Sequence, residues 1–203
     1  KNYCDKKELS SVYVIGHSMG GMIASAFAAA FPEHVRTLTV VDAIGLLTSD
    51  EETTTTQLRK GILSRLTRDV SAKKYHSSLD SAIEARVQVS DLDKPNAAII
   101  VQRGIEETGL GFRWRSDNRL RSVSTYRFSM AQAEQVIADI KIPVQLIYAS
   151  EGMSMVTKGL NHFRPLFKTL DVHKLAGGHH VHMEQPEQTA KLINAHINAL
   201  EVS

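Results

Sequence analysis

The sequence holds a single cysteine, Cys4, among 203 residues. One cysteine excludes an internal disulfide framework and, equally, a Cys-rich zinc site. Long apolar runs are also missing: none approaches the roughly 18 to 20 residues that a membrane-spanning helix needs. Neither charge is in excess, since 24 Lys and Arg stand against 22 Asp and Glu, a formal net of +2. That balance gives no global drive toward nucleic acid or a membrane surface. Lys1–Leu9 is mostly polar and charged and does not read as a signal peptide. No internal repeat is visible. What is present is 42% hydrophobic residues over a length that allows one domain with a sizeable core, or one domain carrying an insertion. The expectation is a soluble, cytoplasmic globular protein.

The order of patterns then suggests an architecture. Ser11-Val12-Tyr13-Val14-Ile15 is short, β-branched and aromatic, bounded by charge before it and Gly16 after, as in a parallel strand buried on both faces. From Ser18 the apolar spacing becomes helical through Met22, Ile23, Ala26, Phe27 and Ala30, until Pro32 stops it. Arg36–Val41 reads as a second strand ending at Asp42, completing a βαβ unit. Residues 45–135 lose this rhythm. Short amphipathic helices are predicted over Gln57–Val70, Leu79–Val89 and Pro95–Glu107, followed by turns at Gly104, Gly109 and Gly111. Alternation resumes with a helix over Ala131–Ile140, a strand over Pro143–Tyr148, the tail of a helix near Asn161–Thr169, a strand over Leu170–Leu175 and a closing helix over Pro186–Leu200.

One junction carries chemistry. Gly16-His17-Ser18-Met19-Gly20 is a G-x-S-x-G pattern placed between a strand and a helix of small residues. A serine on so sharp a turn projects its hydroxyl above the sheet, and the two glycines are expected to avoid a clash across it. The Met19 amide, at the helix N-terminus, points to where an oxyanion would form. A serine nucleophile needs a base, and the base an orienting carboxylate. Gly177-Gly178-His179-His180-Val181-His182-Met183-Glu184 follows the last strand and precedes the last helix. Three histidines in four residues suggest a metal site at first, but no Cys or carboxylate cluster accompanies them at ligand spacing. A base for Ser18 is the better reading, against a plain polar loop with surface histidines.

These motifs resemble a family. GHSMGG after a strand and a final GGHHVHMEQP loop before the C-terminal helix are similar to the α/β-hydrolase fold. More narrowly, QRGIEETGLGFRWRSDNRLR followed by GGHHVHMEQP resembles its serine hydrolase-like branch. The resemblance covers nearly the whole chain. It implies that the catalytic histidine lies five residues before the acidic position held by Glu184, which selects His179 over His180 and His182. It also implies an acid after the strand preceding the histidine strand. There the chain reads Tyr148-Ala149-Ser150-Glu151-Gly152, with Gly152 where the usual Asp would stand. Glu151 sits one residue early with a longer reach. Some relatives take the acid from the end of the strand after the elbow helix, where this chain has Asp42. Glu151 is placed slightly ahead of Asp42.

The expected layout is therefore an α/β-hydrolase core over residues 1–44 and 136–203 with a helical cap insertion over 45–135. Arg113, Arg115, Arg119, Arg121 and Arg127 surround Trp114, but Glu106, Glu107 and Asp117 are interleaved. Salt bridges anchoring the insertion to the core are a better reading than a nucleic-acid patch. The complete fold carries strands and a second oxyanion donor ahead of the elbow, so the resemblance implies that an N-terminal half is missing from this chain. A fragment, a separate completing chain, or a truncated form that dimerises through the open edge would account for it. The activity implied is hydrolysis of an acyl bond, by default in a small carboxylic ester, without metal or organic cofactor. A catalytically silent module using the same scaffold for binding or dimerisation is the alternative.

Overall fold

The β-branched run after Ser11 does form a strand, and the rest of the sheet is laid down beside it in one direction. The computed structural model describes residues 1–67 and 74–201. In chain order the elements are α1 (Asn2–Lys6), β1 (Val12–His17), α2 (Met19–Ala30), β2 (Val35–Val41), α3 (Thr54–Leu66), β3 (Tyr75–His76), α4 (Leu79–Val87), α5 (Lys94–Gly104), β4 (Ile105–Thr108), β5 (Gly111–Trp114), α6 (Met130–Ala138), β6 (Val144–Ala149), α7 (Ser154–Phe163), β7 (Leu170–Leu175), α8 (Val181–Glu184) and α9 (Pro186–Glu201). β1, β2, β6 and β7 form a parallel sheet in that order. This is the expected α/β architecture, with a parallel sheet running from the elbow strand onward.

The period of two along β2 and β6 sorts their side chains onto two faces. Leu38, Val40, Val144 and Leu146 enter a buried cluster with Ala24 and Ala28 of α2, Ile137 of α6, and Val156, Leu160 and Phe163 of α7. The other face carries buried Thr37, Thr39 and Gln145. Their polar atoms all find partners, as burial requires. Thr37 Oγ1 donates to Pro143 O at 3.0 Å and lies 2.7 Å from His196 Nε2 on α9. Thr39 Oγ1 donates to Gln145 Oε1 at 3.3 Å, and Gln145 Nε2 donates to Leu192 O on α9 at 3.1 Å. The apolar face thus packs on helices, and the polar face is tied to α9 by hydrogen bonds.

β1 departs from the two-faced burial its composition suggested. Among the described strands it pairs only with β2, and Ile15 is 54% exposed. A strand flanked on one side lacks the neighbours that bury the equivalent side chains of β2 and β6.

The strand register decides what can meet. His17 pairs with Val41, Val41 with Ile147, and Ala149 with Leu175. All four strands therefore end along one edge, and the residues that follow them are brought together there. Ligands of open parallel sheets bind outside this carboxyl edge.

Residues 49–127 form a compact unit distinct from that made by residues 1–48 and 128–203. Thr48 and Phe128 are joined by a parallel bridge, and Phe128 packs on the core cluster. The 49–127 unit holds α3, α4 and α5, and also an antiparallel sheet in the order β3-β5-β4 that the helical reading did not foresee. The helix predicted through Glu107 ends at Gly104, where Ile105 pairs instead with Trp114 and Arg115 N–H donates to Gly104 O at 2.8 Å. The helix predicted over Gln57–Val70 is α3, and its last three positions lie outside the described residues. The arginine pairs are also internal to the unit. Arg113 meets Glu106 at 2.7 Å, Arg119 meets Asp117 at 2.6 Å, and Arg115 Nε donates to Ile105 O at 2.9 Å. These three brace a hairpin and a loop within the unit.

Candidate active site

Ser18 follows β1 and caps α2, with φ 53° and ψ −124°. A positive φ on a non-glycine residue costs about 1–3 kcal/mol and persists only when its surroundings enforce it. Here they do: Ser18 N–H donates to Val41 O at 3.0 Å, while Ser18 O accepts from Gly21 N–H at 2.9 Å. The close approach expected across the turn exists at Gly16, where a Cβ would lie 2.7 Å from the Gly20 carbonyl carbon and 2.8 Å from Gly21 Cα. At Gly20 the expectation fails, because a Cβ there meets nothing within 4 Å. The second tight position is Gly21, whose Cβ would sit 3.0 Å from both Ala43 Cβ and Gly16 O. The motif's third glycine, not its second, is the one held by packing. Met19 opens α2, so its N–H has no partner within the helix.

The loop after β7 delivers the histidine. His179 Nε2 lies 2.8 Å from Ser18 Oγ, and His179 Nδ1 lies 2.6 Å from Asp42 Oδ2. A carboxylate only accepts, so Nδ1 carries the proton and Nε2 is left to accept the serine O–H. Glu184 steadies this loop by accepting the Gly178 N–H on both carboxylate oxygens, at 3.0 and 3.1 Å.

Asp42 follows β2 and is buried, also at a positive φ of 43°. Its Oδ1 accepts from Ala149 N–H at 3.1 Å, and Oδ2 accepts from Met153 N–H at 3.2 Å as well as from His179. Three donors on one buried carboxylate fix its direction. Glu151, ranked ahead of Asp42 on sequence, is exposed, and no hydrogen bond joins its carboxylate to His179; its backbone N–H donates to Gly177 O at 2.9 Å. Gly152 explains the exchange. A Cβ at Gly152 would lie 2.6 Å from Asp42 Oδ2 and 2.8 Å from its Cγ. The carboxylate from β2 fills the space next to the position where an acid after β6 would begin, and only glycine leaves room for it.

His17 was passed over in the sequence, as the variable residue of the motif. Its Nε2–H donates to His179 O at 2.8 Å, and its ring stands 4.6 Å from that of His179 and 4.3 Å from that of His182. Burial pushes the His17 pKa down to about 4, against the raising effect of the His179 carbonyl, and burial also lowers that of His182. A pKa of about 4 leaves the His17 ring neutral at pH 7. Its place inside the motif was the signal available for His17. Among the described residues, no three His, Cys, Asp or Glu side chains group so as to hold a metal ion. No helix among them is long and apolar enough to cross a membrane.

Comparison with known proteins agrees with the fold. A family model described as the alpha/beta hydrolase fold matches residues 1–186. The chain is 27% identical over 195 residues to a serine hydrolase-like protein of Danio rerio, covering 89% of this chain and 58% of that protein. It is 27% identical over 199 residues to serine hydrolase-like protein 2 of Homo sapiens, covering 90% and 63%. It therefore spans about three fifths of the length of these relatives. Among solved structures, a hypothetical protein of Pseudomonas aeruginosa PAO1 superposes with a TM-score of 0.86 at 26% identity, over 99% of this chain and 71% of that one. A thioesterase domain from the curacin biosynthetic pathway shares the fold, with a TM-score of 0.75 at 22% identity over 95% and 70%.

Proposed function

The chain belongs to the α/β-hydrolase fold family, and from that premise we propose that it carries the catalytic residues of a serine hydrolase acting on a small carboxylic ester. The observation behind this reading is the relay from Asp42 to His179 to Ser18, at 2.6 and 2.8 Å. Ser18 Oγ attacks the acyl carbon as His179 Nε2 takes its proton. Asp42 holds the imidazole in the required tautomer and stabilises the imidazolium that forms. The Met19 N–H is one donor to the oxyanion, where a single such bond contributes about 2.7–4 kcal/mol. Collapse of the tetrahedral species breaks the ester C–O bond, and His179 returns the proton to the departing alkoxide. Water, deprotonated by the same nitrogen, then attacks the acyl-Ser18 ester, releasing the acid and restoring Ser18.

An ester is the default among acyl substrates because the fold leaves the choice among esters, thioesters and amides open. A fluorophosphonate probe tests the reading on the full protein. It should attach to Ser18, identified by mass spectrometry of the labelled peptide, and fail on Ser18→Ala. A folded protein that stays unlabelled would instead favour the scaffold acting in binding or dimerisation without chemistry.

A further inference from the structure

His17 and Ser18 are consecutive, yet they reach the same histidine at different points. Ser18 Oγ lies 2.8 Å from His179 Nε2, at the ring, and His17 Nε2–H donates to His179 O, at the backbone, over 2.8 Å. The reaction proposed at Ser18 uses the first contact and leaves the second without a role. His17 is the last residue of β1 and pairs with Val41. Its side chain is therefore anchored on the sheet, beside the nucleophile and across from the strand that leads to Asp42.

The loop around His179 leaves its carbonyl to this bond. The N–H groups of Met183 and Glu184, in α8, return to His180 O at 2.7 and 3.3 Å, one residue beyond His179. On the other side, the Glu184 carboxylate holds Gly178 N–H at 3.0 and 3.1 Å, one residue before it. A carbonyl only accepts, so the His17 ring carries its proton on Nε2. The ring also packs 4.6 Å from that of His179 and 4.3 Å from that of His182, contacts that keep Nε2 turned toward the carbonyl. Two side-chain torsions separate the His179 backbone from its imidazole. The ring can point at Ser18 and Asp42 together only while the backbone that carries it stays in place.

We propose that His17 is a positioning residue, which holds the His179 carbonyl and so keeps the His179 imidazole aimed at Ser18 and Asp42. For its effect on rate the inference rests on the chemistry proposed at Ser18; for its effect on the loop it rests on the hydrogen bond alone. A displacement of about 1 Å at a reacting group can cost about 10² in rate, so a brace on the backbone of the base has a large lever. The substrate is not touched by His17 in this role, and the loss belongs in kcat rather than KM.

Two variants of the full protein separate the bond from the packing. His17→Phe keeps an aromatic ring and removes the donor, while His17→Gln returns an N–H donor on a side chain of similar reach. With p-nitrophenyl acetate, kcat of His17→Phe should fall by at least about tenfold with KM within about twofold, and kcat of His17→Gln should stay within about threefold of the parent. If His17→Phe fails to fold, His17→Asn takes its place, since its shorter amide stops short of the carbonyl. A readout independent of turnover is the low-field proton resonance of His179 Nδ1–H, identified by its absence in His179→Gln. It should persist in His17→Gln and broaden or vanish in His17→Phe. Unchanged kcat in His17→Phe, equal losses in both variants, or a resonance that His17→Phe leaves unmoved would overturn the proposal. A parent that neither hydrolyses the ester nor takes the fluorophosphonate, while its resonance still follows His17, would refute the chemistry at Ser18 and support the brace.

Discussion

Replacing Asp42 with Asn probes the relay at its most buried member. Every acceptor site in use on this carboxylate faces a donor: Ala149 N–H at Oδ1, and Met153 N–H and His179 Nδ1 at Oδ2. An amide has one oxygen to offer these two positions. If that oxygen stays toward His179, the NH2 group confronts Ala149 N–H, a buried mismatch of about 1–3 kcal/mol in stability. The imidazolium formed in the reaction then also lacks its counter-charge. For charges about 4 Å apart at an effective dielectric of about 20, that attraction is about 4 kcal/mol, or roughly 10³ in rate. If the amide turns the other way, its NH2 group meets His179 Nδ1 and forces the proton onto Nε2. The serine O–H then has no acceptor, and losses near 10⁴ are expected for a wrong tautomer. The expected fall in kcat for p-nitrophenyl acetate hydrolysis is therefore about 10³–10⁴, with KM changing little. Glu151→Gln, at an exposed carboxylate with no hydrogen bond to His179, should stay within about twofold of the parent. A loss in Asp42→Asn of less than tenfold, or an equal loss in Glu151→Gln, would refute the reasoning.

Further expectations follow from the turn and from the buried imidazoles. Gly16→Ala should lower stability by more than about 3 kcal/mol, because its Cβ overlaps backbone that cannot move away without opening the elbow. Gly20→Ala should be neutral or stabilising by up to about 1 kcal/mol in thermal melts, since its Cβ meets open space and the helix gains from Ala. Gly152→Ala should displace Asp42 from His179 and lower kcat by at least tenfold, read as slower ester hydrolysis by a protein that still shows a cooperative melt. The folded His17 pKa of about 4 lies below its unfolded value near 6.5, so the unfolded chain binds the extra proton between these pH values. Stability from this group is fully present above pH 6.5 and is lost as pH falls through about 4. Allowing for solvent screening of a half-buried ring, the loss should be roughly 1–2 kcal/mol in urea melts, and His17→Gln should show a flatter profile over that range.

Local sequence carried the parts of the site whose geometry is local. Gly16-His17-Ser18 sits on one strand-to-helix turn, so the candidate nucleophile could be placed without a fold. His179 was selected by the family resemblance, through its place five residues before Glu184, and the same loop holds the bond from Gly178 N–H to the Glu184 carboxylate. The small sheet of the 49–127 unit gave no such signal. Its strands are two to four residues long, too short for a period of two to stand out from the helical spacing around them.

Composition and pattern by themselves determined that this chain builds a parallel α/β sheet and presents a serine at its carboxyl edge, because burial and turn chemistry act on neighbours in the sequence. Which carboxylate meets His179 belonged to the tertiary structure. Asp42 and Ala149 are 107 residues apart, and only the pairing of β2 with β6 brings the carboxylate to the amides that hold it. The glycine that looked like a lost acid at Gly152 is the space that this pairing requires.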